Sequence, residues 1–348
     1  MLGLKFAAYS RSGDHQGSPN FRHYQTTFTS VNLVRSEITE ITMKITLFPE
    51  VPNGHRQTWI WAVPVLVFAL FIIGQLAVIL PADALGLVTR ETVEKYPTVL
   101  YLILGTFTMV ALLLIAWVRY FERRSLAGVG LVLDQHAKRF YIRGYGLGLL
   151  MGAAVVLGIY LFGGYVLEAG ADPRPLDLIP ILVLMVAFIV QSGTEELVFR
   201  GWMMGRIAER YGIWAGVIGN SALFTLMHVE FGELGTTPVA MMVLFTVMTM
   251  LFSIFLSLLV VREKSIWGAC AWHASWNWIF ITWFGLPTTG IELGLSPLVT
   301  DLAVTDNAPE WLSGGIAGPE GSIMALIILV IGCVIVLKRE KSPVANAV

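Results

Sequence analysis

Three short polar clusters interrupt apolar stretches of the chain, and their side chains are those of acid–base chemistry. They are Gly193-Thr194-Glu195-Glu196-Leu197-Val198-Phe199-Arg200, Phe224-Thr225-Leu226-Met227-His228 and His273-Ala274-Ser275-Trp276-Asn277. On a helix Glu196 and Arg200 are four apart with the acid first, the favourable order for an ion pair. Glu195 is turned about 100° from Glu196, so one carboxylate can be neutralised by the arginine while the other is free to act as a base. His273 and Asn277 are also four apart and share a side, and Phe224 is spaced to pack beneath the His228 ring. A Glu, two His and an Asn converging between helices would activate water. The base takes a proton while imidazole and amide donors stabilise the oxyanion formed on a carbonyl. Hydrolysis of a peptide bond fits this inventory. The plainer alternatives are acids resting at a water interface beside Arg200 and histidines hydrogen-bonded in a core. Ser192 and Ser275 lack a base neighbour and read as packing residues, and the zinc pattern HExxH is absent.

The elements that must position these groups are membrane helices. Of 348 residues 56% are hydrophobic and 14% charged, whereas a soluble domain carries about 25% charged residues. Apolar windows of near-spanning length occur at about 58–80, 98–118, 144–166, 178–199, 213–230, 238–261, 266–284 and 322–337. The expected fold is an all-α polytopic bundle of eight transmembrane helices in the cell membrane. Arg119, Arg123, Arg124, Lys138, Arg139 and Arg143 mark the segment after the second span as cytoplasmic. By alternation all 23 bases except Arg90, Lys95 and Arg174 then fall inside, as do both termini. A net charge of −1 with no long basic run gives no basis for nucleic-acid binding, and Cys270 and Cys333, both in apolar stretches, read as packing residues.

Residues 1–57 are expected to form a polar tail, disordered or preceding a natural start at Met43; 58–118 hold two helices, 119–337 the catalytic bundle and 338–348 a cytoplasmic tail. Gly144, Gly148 and Gly152 form a small-residue strip for close helix packing. The acids of the long outer loop, Asp301, Asp306, Glu310 and Glu320, are expected in solvent. If the fourth and fifth helices turn at Tyr211-Gly212, Glu195 and His228 come to one level and can meet. His273 is nearer its own turn, at Arg262 to Lys264, so the first hairpin must project further.

Glu195-Glu196-xxx-Arg200, Phe224-xxx-His228 and His273-xxx-Asn277, in this order on successive helices, resemble the CPBP family. This is the group of CAAX proteases and bacteriocin-processing enzymes, also called Abi proteins, whose eukaryotic members are the type II CAAX prenyl endopeptidases. The likeness covers about residues 119–337, including the loop Pro309-Glu310-Trp311-Leu312-Ser313-Gly314-Gly315. It implies an intramembrane protease acting on a membrane-associated protein or peptide within the lipid bilayer. Glu195 would activate water with His228, His273 and Asn277 would stabilise the oxyanion, and Glu196 with Arg200 would be the structural ion pair. It also implies either one divalent metal, most simply zinc, on Glu195, His228 and His273, or a metal-free mechanism. The competing classes are a transporter or channel using the same Glu and His, and a non-catalytic bacteriocin-immunity protein.

Overall fold

The computed structural model describes residues 47–48, 56–89, 92, 97–170, 178–229, 238–288, 291 and 293–338. The expectations for the tail before Leu47 and for the residues after Lys338 lie outside this range. The long apolar runs form a helix in each of the eight windows. These are α1 Ala62–Ala84, α2 Thr98–Ala116, α3 Ala137–Leu161, α4 Leu178–Glu196, α6 Ile213–Met227, α7 Val239–Glu263, α8 Trp267–Phe284 and α10 Ile323–Lys338. The short helices α5 Met204–Tyr211 and α9 Glu310–Ser313 complete the α-helices among the described residues. Five helices are long and apolar enough to cross a membrane: Ala62–Ala84, Thr98–Phe121, Ala137–Leu161, Leu178–Tyr211 and Val239–Glu263.

The fold is not purely helical. β1 Tyr165–Gly170 pairs antiparallel with β2 Thr300–Val304, so the segment after α8 is tied back to the end of α3. The Tyr165 hydroxyl donates to Ser313 O at 2.6 Å, and its burial pushes the phenol above its ordinary range. Glu320 departs from its expected place in solvent. It is buried and accepts from Trp276 Nε1 of α8 at 3.3 Å, because an indole N–H inside an apolar bundle needs an acceptor.

The glycine strip on α3 lets the site-bearing helix α8 approach closely. A Cβ at Gly144 would collide with Gly268 O, and one at Gly148 with Ser275 Oγ, lying also 2.5 Å from Trp272 O. Gly148→Val is therefore expected to lower stability by about 1–3 kcal/mol through overpacking, read as a lower melting temperature in micelles. Gly146→Ala, which meets nothing within 4 Å, is expected to keep or slightly raise that temperature, since alanine is the better helix former.

The chain from α4 runs through a π-helical segment, Leu197–Met203, into α5. It reverses at Gly212, whose φ of 92° suits glycine. The projecting hairpin is clamped at its tip rather than left in solvent. Arg206 Nη2 donates to Thr58 O at 2.8 Å and Arg124 Nη2 to Glu209 Oε1 at 2.6 Å. Arg206 also pairs with Glu209, and buried Glu122 accepts from the Thr58 hydroxyl. Only Arg210 of the tip charges is exposed. Leu47 and Phe48 are buried; the Phe48 ring lies against Gly130 and Gly205, while Gly130 O accepts from Ile266 N at 3.0 Å. These groups fill the step between the hairpin and the α7–α8 turn.

Candidate active site

Glu195 and Glu196 are the last buried residues of α4, and Arg200 lies within the π segment. A π turn is wider than an α turn and re-aims side chains, yet the expected ion pair forms: Arg200 Nη1 donates to Glu196 Oε1 at 2.9 Å, both residues fully buried. The same oxygen accepts from His273 Nδ1 at 2.9 Å. A carboxylate paired with a guanidinium has no proton to give, so Nδ1 of His273 carries the hydrogen and Nε2 is left facing Glu195 Oε2 at 3.9 Å. One imidazole is thus bonded through Nδ1 to Glu196 and faces the adjacent carboxylate, Glu195, with Nε2. The other Glu195 oxygen accepts from Gln191 Nε2 at 3.4 Å.

His228 is the C-cap of α6. Its Nδ1 donates to Phe224 O at 2.8 Å, since a carbonyl can only accept, and its Nε2 is turned away from its own backbone. Phe224 lies beneath it as the spacing requires, ring centroids 4.2 Å apart and 30° inclined. The hairpin register also behaves as counted from Gly212: Arg200 and Phe224, equidistant from the turn, meet with the guanidinium carbon 4.3 Å from the ring. Glu195 and His228 are level by the same count, but no hydrogen bond or ion pair joins them. The imidazole that reaches the carboxylates comes from α8. Asn277, one turn beyond His273, is buried. Its backbone oxygen accepts from Thr288 Oγ1 at 3.2 Å, while its side-chain amide is bonded to no other group among the described residues.

Residues 177–279 match the family model described as Type II CAAX prenyl endopeptidase Rce1-like. The resemblance read from the motifs is borne out. All the residues of the three clusters lie within the Rce1-like segment, which begins at the foot of α4 and ends two residues past Asn277. This is a family of CAAX proteases, and with the five long apolar helices it marks the chain as a membrane protein. No curated protein sequence matches the chain.

Among the described residues no three His, Cys, Asp or Glu side chains are grouped so as to hold a metal ion. Nδ1 of His228 and of His273 is hydrogen-bonded, which leaves Nε2 of each ring as the nitrogen open to a proton or a ligand. Two contributors escaped the sequence reading. Gln191 stands four residues before Glu195, a spacing that signals a shared face. Phe252 sits edge-to-face with His273 at 4.9 Å and had no signal, being one apolar residue in an apolar helix.

Proposed function

We propose that the chain is an intramembrane endopeptidase that hydrolyses a peptide bond of a membrane-associated protein or peptide. The observation that carries this reading is the His273 imidazole held at Nδ1 by Glu196, with Nε2 facing Glu195 at 3.9 Å. A water bound at Glu195 gives its proton to that carboxylate as its oxygen attacks the scissile carbonyl carbon. The carbonyl electron pair moves to oxygen, and the Asn277 amide donates to the oxyanion. Glu195 passes the proton to His273 Nε2. As the tetrahedral intermediate collapses and the C–N bond breaks, His273 delivers that proton to the leaving amine. His228, with Nδ1 committed to its own backbone, offers Nε2 as an acceptor that orients the water. Burial of Glu196 and Arg200 as a neutral pair keeps a full charge from standing alone beside this path.

In this reading all eight apolar helices cross the cell membrane and both termini are cytoplasmic. Exposed Trp59, Trp61, Tyr120 and Trp214 stand at the end that carries Arg119, Arg123 and Arg210, a pattern suited to a cytoplasmic headgroup layer. His273 lies six residues into α8 from that end, about 9 Å along the helix, so the substrate reaches the site from the cytoplasmic half. The family description supplies the first substrate class to try, a prenylated CAAX peptide. His228→Ala is expected to lower the turnover of a farnesylated CAAX peptide roughly 10²–10⁴-fold with the melting temperature unchanged. Undiminished turnover would remove His228 from the mechanism.

A further inference from the structure

Helix α7 carries no acid, base or amide into the site, yet it separates the two histidine-bearing helices. His273 is anchored through Nδ1 to Glu196 at 2.9 Å. His228 is anchored only to its own helix, through Phe224 O at 2.8 Å. No polar bond ties one imidazole to the other, so their relative placement depends on apolar contacts. Those contacts form a continuous row of rings. His228 lies on Phe224 at 4.2 Å and 30°, and Phe224 lies nearly parallel to Phe252 at 6.0 Å and 14°. Phe252 meets His273 edge-to-face at 4.9 Å and 78°.

The two inner rings of the row are held from outside it as well. Arg200 presses on Phe224 at 4.3 Å, and Phe199 meets it at 5.0 Å and 84°. Phe252 is itself wedged against Trp272 at 5.3 Å and Trp276 at 6.2 Å. It is 6% exposed, so it has no freedom to swing aside. In this row Phe252 is the one member that belongs to neither histidine helix.

We propose that Phe252 is a positioning residue: its ring is the spacer that sets the distance and tilt between the His228 and His273 imidazoles. The inference rests on the hydrolytic reading above. Removing the ring leaves a gap between α6 and α8 into which Phe224 or His273 can shift. Displacement of catalytic groups on the ångström scale lowers rates by about 10²-fold while the substrate's other contacts stay in place, so the loss falls on kcat rather than KM.

Phe255 supplies the matched control. It lies one turn further along α7, is 1% exposed and packs on Trp272 at 4.9 Å, with no ring contact to either histidine or to Phe224 among the described residues. The test uses the full chain in lipid–detergent micelles with a farnesylated CAAX peptide as the probe. It compares wild type, Phe252→Leu, Phe255→Leu and Glu195→Gln, each corrected for folded protein by thermal unfolding. Phe252→Leu is expected to lose about 10–100-fold in kcat with KM little changed. Phe255→Leu is expected to unfold at a lower temperature with kcat unchanged. Should the leucine variant fail to fold, Phe252→Met, also ringless and apolar, carries the same comparison. Wild-type kcat in the ringless variant, or equal kcat losses at 252 and 255, overturns the proposal. The reading beneath it fails separately, through turnover that survives in Glu195→Gln or through no turnover by wild type.

Discussion

Glu195→Gln removes cleavage while leaving the fold intact. The amide keeps the size of the carboxylate and can still meet Gln191, whose Nε2 lies 3.4 Å from Glu195 Oε1. It cannot take a proton from water, and it cannot pass one to His273 Nε2, which faces the lost Oε2 at 3.9 Å. A positioned general base contributes typically about 10²–10⁴-fold, so initial rates are expected to fall by at least that range. The ion pair of Arg200 is made with Glu196 at 2.9 Å and not with Glu195, so the melting temperature in micelles is expected to stay close to wild type. A large drop in that temperature with residual activity per folded molecule would make Glu195 structural instead.

Its sequence neighbour is expected to behave oppositely. Glu196 Oε1 accepts from both Arg200 Nη1 and His273 Nδ1, and Arg200 is fully buried. Glu196→Ala leaves that guanidinium uncompensated, and breaking one side of a buried pair costs about 3–5 kcal/mol. The same substitution frees His273 to change tautomer, so activity falls as well. The double variant Glu196→Leu with Arg200→Met separates the two effects. Replacing both charges by apolar side chains of similar size restores much of the stability, but His273 still lacks its Nδ1 acceptor and cleavage stays low. Denaturation of the single and double variants in micelles, read beside their turnover, checks this; recovery of activity along with stability would reduce Glu196 to a partner of Arg200.

What could be read from the sequence was local. The Glu196–Arg200 pair and the separate direction of Glu195 follow from helix geometry within one turn, and they survive even though Arg200 sits in a π segment. The reversal at Gly212 was legible because a glycine stands between a charged stretch, Arg206 to Tyr211, and the apolar run of α6, and its φ of 92° suits the turn. The strip Gly144, Gly148 and Gly152 announced close packing, which the structure assigns to α8.

What could not be read crosses between elements. Counting residues from Gly212 placed Glu195 and His228 at one level, but level is not contact. The histidine that meets the carboxylates is His273. Glu320 looked like any loop acid, and only the buried Trp276 N–H on a distant helix explains its inward turn. Leu47 and Phe48 are two apolar residues in a polar stretch, too short for any period, and their burial depends on the space that Gly130 and Gly205 leave open.

The central claim, that Glu195 and His273 drive hydrolysis of a peptide bond in a membrane substrate, is tested most directly by mass spectrometry of membrane peptides from cells expressing the wild-type chain or Glu195→Gln at equal folded levels. New peptide termini that appear with the wild type and vanish with the variant are the predicted result, and they would name the substrate at the same time. Identical sets of termini from the two membranes would contradict it.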